Sequence, residues 1–198
     1  MDIRAGMEEI ILRLRQMGEA GTADYTVARK TYWQGADVQA LADRHRTYLR
    51  AVGLVAEPQQ IAGTTLYYRY RFPDALAPDK FGIEGTAGGT PAFRVDDSTG
   101  TLIAGTLYTF GADALDVTFA ADQAGSARYW TGFAYDLNAI AHELWVRKAS
   151  HSFSAINFSA DGHRFDRGAV HANCLAMAEL FKRAGGLKTV RMVRSDVQ

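Results

Sequence analysis

The hydrophobic patterning of this chain predicts an α+β fold: a helical frame with an inserted antiparallel β-sheet or small barrel and an extended carboxy-terminal arm. Apolar residues recur at helical spacing near both ends of the chain and at period two through its middle. The period-two segments are separated by turn-forming residues, with no helix between them to serve as the crossover that parallel strands require. At 198 residues the chain can bury a sizeable core.

The first helix is carried by Met7, Ile10, Ile11, Leu14 and Met17, which fall on one stripe. Glu8 and Glu9 sit early and Arg13 and Arg15 late, as the helix dipole favours, and Gly18 and Gly21 are expected to stop it. Residues 25–33 read as a short strand or an irregular arm. A second helix is expected from Ala36, with Val38, Leu41, Ala42 and His45 on its buried face. In TLYYRYRF, Leu66, Tyr68, Tyr70 and Phe72 alternate with Tyr67, Arg69 and Arg71; in LDVTF, Leu115, Val117 and Phe119 alternate with polar residues. LRAVGLV, AFRV and TLIAGTLYTF are further strand candidates, and Pro73–Pro91 reads as a long loop. Phe133, Leu137, Ile140, Ala141, Leu144 and Trp145 predict a helix over 131–149. Val170, Cys174, Met177, Ala178 and Phe181 predict a last helix, ended by Gly185 and Gly186. The expected organisation is a helical domain from 1–47 and 131–186, an inserted β domain over 48–130, and an arm over 187–198.

Charge excludes more than it identifies. Lys plus Arg and Asp plus Glu number 22 each, so the chain has no polyelectrolyte character of the kind that coats nucleic acid. Residues 51–130 are net −4 and residues 131–198 net +3. One cysteine supplies neither an intrachain disulfide nor a Cys-based zinc site, and no apolar run approaches a membrane span. The amino terminus mixes acids and arginines with its apolar residues and is not expected to act as a signal peptide. A soluble protein of a reducing compartment is expected.

Each chemical motif has a simpler structural reading. His142-Glu143 lacks the second histidine that a zincin needs at position 146, which is Val, so both residues are expected on the solvent side of a helix. Asp97-Ser98-Thr99-Gly100-Thr101 is similar to an aspartyl-phosphate loop, but it is followed by a strand candidate, and its residue types suit a hairpin turn. Asp161, His163, Asp166 and His171 gather around the start of the last helix, where turn and N-cap roles outweigh a metal or acid–base site. Cys174 reads as a buried small hydrophobe. Tyr67, Tyr68, Tyr70 and Phe72 with Arg69 and Arg71 offer a base-stacking face, yet they read better as core or subunit interface. No catalytic, cofactor or metal residues are assigned.

The runs YWTGFAYDLNAIAHELWVRKAS (129–150), NFSADGHRFDRG (157–168) and AMAELFKRAGGLKTVRMVRSD (176–196) resemble small structural proteins of tailed bacteriophages and prophages. ADVQALADRHRTYLRAVGLV (36–55) and TLYYRYRF resemble the amino half of the same family, the head–tail connector or adaptor proteins of the neck. The resemblance implies a virion structural protein, made in the host bacterial cytoplasm, that forms a homo-oligomeric ring, usually twelvefold. Such a ring docks under the portal protein, meets tail or stopper proteins, and passes double-stranded DNA without sequence-specific binding. On this reading Lys188, Val190, Arg191, Met192 and Arg194 of the arm dock on the portal or a neighbouring subunit. Tyr67, Arg69 and Arg71 are subunit-interface candidates. A small hydrolase or phosphotransfer enzyme using Asp97 or the Asp161–His171 cluster, and a nucleic-acid binding module using the arm, are the alternatives.

Overall fold

The described residues form four α-helices and two four-stranded antiparallel sheets, with two small hairpins besides. The computed structural model describes residues 3–19, 25–27, 30–85, 93–153, 158–160, 163–165 and 167–184. The α+β class read from the sequence is the observed one, and the helices flank the ends of the sheets.

Helix α1 (Glu8–Met17) buries Ile10, Ile11 and Leu14, three members of the expected stripe. Gly18 closes it at φ −89°, so this glycine is not required for a left-handed turn. A Cβ at Gly18 would instead lie 2.8 Å from Leu144 Cδ2, and the missing side chain lets two helices approach. Strands β1 (Tyr25–Val27) and β2 (Lys30–Tyr32) form a hairpin, and α2 (Gly35–Ala42) follows, burying Val38, Leu41 and Ala42.

Strand β3 (Arg46–Gly53) leads through buried Leu54 into β4 (Val55–Ile61), and this continuous stretch passes from one sheet to the other. Ala62 and Gly63, at φ +50° and +81°, join β4 to β5 (Thr64–Arg71) in a two-residue turn of the type that matches strand twist. Then come β6 (Phe81–Ile83), β7 (Phe93–Asp96), β8 (Tyr108–Gly111), β9 (Asp116–Phe119) and β10 (Tyr129–Asp136). Helix α3 (Leu137–Phe153), the hairpin β11 (Phe158–Ala160) and β12 (His163–Phe165), and helix α4 (Arg167–Ala184) complete the described chain.

Strand β10 organises the first sheet. It pairs with β3 along one edge and with β7 and then β6 along the other, placing Trp130 between Val52 and Val95, and Ala134 between Thr47 and Ile83. The second sheet runs β4-β5-β9-β8. Their facing sides enclose an aromatic core in which Phe72 and Trp130 lie 5.0 Å apart, and Phe93 and Phe110 4.6 Å apart. A second core joins α1, α2 and α3 around Met7, Leu41, Tyr135 and Ile140.

Two expectations change. The helix predicted over 131–149 begins at Leu137, because residues 129–136 form the central strand. Buried on both faces, that strand shows nearly continuous apolar character, which periodicity cannot separate from helix. Asp136 marks the true start, its Oδ1 accepting from the Ala139 N–H at 2.9 Å as an N-cap does. The 130/131 boundary therefore falls inside β10. The segment 73–91 is not simply loop, since Phe81, Gly82 and Ile83 add a short, fully buried strand to β10.

Candidate assembly surface

The turn at Asp97 is built by its own carboxylate. Oδ1 accepts from Thr99 N–H (2.8 Å), Thr99 Oγ1 (2.6 Å) and Thr101 N–H (3.0 Å), while Gly100 takes φ +83°. These bonds, with that of the Thr99 hydroxyl the strongest, hold the Asp97 carboxyl below its ordinary range. A carboxylate engaged this way closes a hairpin turn, and this is the role its residue types predicted.

Of the Asp161, His163, Asp166, His171 group, Asp161, Asp166 and the His163 side chain lie outside the described residues. His171 Nδ1 donates to the Ala149 carbonyl at 2.8 Å. His142 Nδ1 donates to the Ala178 carbonyl at 2.9 Å. A carbonyl only accepts, so both imidazoles carry a proton on Nδ1. One histidine of each helix thus grips the backbone of the other, and together they brace the α3–α4 hairpin. His142 and Glu143 are therefore not merely the solvent side of a helix.

Glu143 is a hub. It receives Arg44 Nη1 at 2.9 Å, Arg147 Nη2 at 2.8 Å and His45 Nε2 at 3.0 Å. His45, expected on the buried face of the second helix, lies in the turn after α2 and is drawn to this carboxylate. Burial pushes the Glu143 carboxyl up, but the bond from His45 and the charge and bonds of Arg147 and Arg44 outweigh it, and the net shift is downward. A group so lowered stabilises the fold above the ordinary carboxylate range, and that contribution is lost as pH falls through the lowered value. Glu143→Gln is expected to cost about 1 kcal/mol at neutral pH. In urea melts the gap from wild type should narrow towards about pH 3; a gap independent of pH would refute the assignment.

Around this hub lies a cleft of about 380 Å³ lined by His45, Asp136, Ala139, His142, Glu143, Val146 and Lys182. Its lining includes no hydroxyl or thiol nucleophile. Among the described residues no group of three His, Cys, Asp or Glu side chains is placed to hold a metal ion.

The Tyr/Arg strand is internally neutralised. Arg69 pairs with Asp116 and, at 3.6 Å, with Glu57; Arg71 lies 3.5 Å from Glu57 and 3.7 Å from Asp74. Tyr67 is half-buried against the aromatic core, its N–H donating to Asp122 and its ring facing Gly125. Tyr70 is fully buried, so the aromatics do not form a stacking platform. The sheet edges are blunted as well. Strand β4 is broken by Pro58 and a register shift between Glu57 and Gln59, and β8 has four residues. In β3, Ala51 takes φ +50° and its N–H bonds Thr131 Oγ1 at 3.0 Å. Edge-to-edge pairing between copies is thus opposed by the strands themselves.

Helix faces present a different surface. α4 packs on α3 through Cys174, Ala178, Met177 and Phe181. Cys174 is buried, as its place on the apolar stripe predicted. Val170, expected on that stripe, is 45% exposed, and Leu175 and Leu180 are 41% and 58% exposed. Ala172 and Ala176 are exposed too, as are the polar Asn173 and Glu179. Leaving these three apolar side chains, Val170, Leu175 and Leu180, in water forfeits the stabilisation that burying them would bring. Lys188, Val190, Arg191, Met192 and Arg194 lie outside the described residues. Among the described residues, no helix is long and apolar enough to cross a membrane. No protein-family model matches the chain, and no curated protein matches it.

Proposed function

We propose that this protein is a virion structural component, a head–tail connector that forms a ring beneath the portal, extends the DNA channel and presents a surface to the tail or stopper proteins. The observation that supports the proposal is the one-sided packing of α4, an eighteen-residue helix that meets the rest of the described chain through α3 and leaves Val170, Leu175 and Leu180 exposed. The engagement of Asp97 in a turn, and of His142 and His171 in bracing a helical hairpin, fits a protein built for assembly. The net −4 of residues 51–130 suits a surface past which DNA slides, since like charge weakens phosphate contact.

The experiment is negative-stain imaging and particle-mass measurement of the protein alone and mixed with a candidate portal ring. Added density beneath the portal is the expected result. A chain that ignores the portal at every concentration sinks the proposal. Removing residues 187–198 is expected to abolish docking while the circular dichroism spectrum and melting temperature stay unchanged. Undiminished binding would remove the arm, with Lys188, Arg191 and Arg194, from the docking role.

A further inference from the structure

We propose that the outer face of the first sheet, along its edge strand β3, binds single-stranded nucleic acid without sequence preference. The proposal goes beyond the connector reading and does not depend on it.

The register of the sheet defines this face. Trp130, Gly132 and Ala134 of β10 lie level with Val52, Leu49 and Ile83, which pack into the sandwich core, so the odd-numbered residues of β10 point the other way. On that side Phe133 is level with Tyr48. Thr131 has the bulge residues Arg50 and Ala51 of β3 to one side and Arg94 of β7 to the other. Tyr129 is level with Gly53, where a Cβ would lie 4.0 Å from Tyr129 Cε1, so the ring leans over the missing side chain. Arg46, Tyr48, Arg50 and Tyr129 therefore alternate cation and aromatic along the edge. Buried Thr131 forms the floor of the face. The strands carrying Arg50 and Arg94 are about 10 Å apart, and Tyr129 and Phe133 are about 13 Å apart along β10.

Charge and ring exposure select the occupant. Arg4, Arg46, Arg50 and Arg94 meet three carboxylates, Asp43, Glu84 and Asp96, and the cation left over is Arg50. Arg50 is exposed and has no ion-pair or hydrogen-bond partner among the described residues. Arg94 donates through Nε to Asp96 and through Nη2 to the Gly100 carbonyl, and its side chain is 46% exposed. The carboxylates lie beneath, Glu84 at 1% and Asp96 at 8% exposure, so an approaching polyanion meets guanidinium first. Arg46 caps the Phe133 ring at 3.5 Å, and Tyr48, 5.0 Å from Phe133 and 54% exposed, is the outermost ring. An exposed ring between arginines offers a base a stacking partner while the cations hold the phosphates. A duplex keeps its base faces inside its own stack, and an acidic protein segment would use the arginines and leave the rings unused. Single-stranded nucleic acid uses both.

The test is fluorescence anisotropy of a short labelled oligothymidylate titrated with the full chain. Saturable binding with a dissociation constant on the order of 100 µM at low salt is expected, weakening as salt rises. Tyr48→Ala should weaken it about tenfold, while Tyr48→Phe, which keeps the ring, should bind as wild type. Arg50→Gln should weaken binding several-fold and flatten the log–log salt slope by about 0.7, the share of one phosphate contact. Both side chains are exposed, so the circular dichroism spectra of these variants should match wild type. Absence of saturation at millimolar protein, or a Tyr48→Ala variant that binds as wild type, overturns the proposal. A blunt duplex that binds as tightly overturns it too, and polyglutamate that displaces the oligonucleotide equally well assigns the face to an acidic protein segment instead. A chain that binds the oligonucleotide but ignores the portal keeps this site and removes the connector reading alone.

Discussion

Replacing Glu84 with alanine is expected to destabilise the fold by about 3–5 kcal/mol, because it removes the buried carboxylate that Arg4, Arg46 and the Tyr135 hydroxyl share. Glu84 is 1% exposed. Its Oε1 accepts from Arg4 Nε at 2.7 Å, and its Oε2 from Arg46 Nη2 at 2.8 Å and the Tyr135 hydroxyl at 2.7 Å. Arg4 also donates to Asp43 at 2.7 Å and to the Tyr135 oxygen at 2.7 Å, and its backbone N–H donates to Gln39. Burial first, then the Glu84 carboxylate, push the Tyr135 hydroxyl well above its ordinary value, so it stays a donor. Next to this cluster the Gly85 N–H donates to the Gly6 carbonyl, and Gly6 at φ +86° has no room for a Cβ against the Gly85 carbonyl. The chain's first described residues are thus clasped to the sheet and to α2. At about 2–4 °C per kcal/mol for a chain of this size, the melting temperature should fall by roughly 6–20 °C. Tyr135→Phe should cost less, about 1–2 kcal/mol, since one donor is lost and the charge pair survives. An alanine variant within about 1 kcal/mol of wild type would show that solvent replaces the carboxylate and that the cluster is not a clasp.

Trp130→Ala is expected to cost about 3–5 kcal/mol, the range for emptying an aromatic site in a packed core. Trp130 is fully buried at the centre of the first sheet, and its ring meets Phe72 at 5.0 Å and Phe93 at 5.9 Å. Trp130→Phe should be much milder. Among the described residues the indole Nε1 has no hydrogen-bond partner, so losing it removes a desolvation cost of about 1–3 kcal/mol that offsets the lost volume. Urea denaturation of the three proteins checks the order wild type, Phe, Ala. If phenylalanine proved as damaging as alanine, the indole N–H would have to be engaged, and the apolar account of this core would be wrong.

Local signals explain what was legible. The stripe Met7, Ile10, Ile11, Leu14 lies on one face of α1 because 3.6-residue spacing acts within a few turns. The alternation ending in Tyr70 and Phe72 places both in the sandwich core, as period two requires. The Asp97 turn was readable because its hydrogen bonds span four residues. Strand β10 was not readable, since a central strand covered on both faces loses its alternation, and β6 was too short to show one.

The side chains that tie the elements together depended on partners distant in the chain. Glu84 is one acid in a segment read as loop, and only the fold brings Arg4, Arg46 and Tyr135 to it. His142 and His171 become braces because α3 and α4 lie side by side. Arg69 and Arg71 looked available to a partner until β4 and β9 brought Glu57 and Asp116 against them. Val170 sits on an apolar helix but outside the seam that α3 covers. By itself the sequence determined the α+β class, the outer helices and the turns, because hydrophobic period and turn chemistry act over a few residues. Only the tertiary structure decided which charges are spent inside the chain and which apolar side chains are left exposed, because burial and ion pairing depend on which distant segments meet.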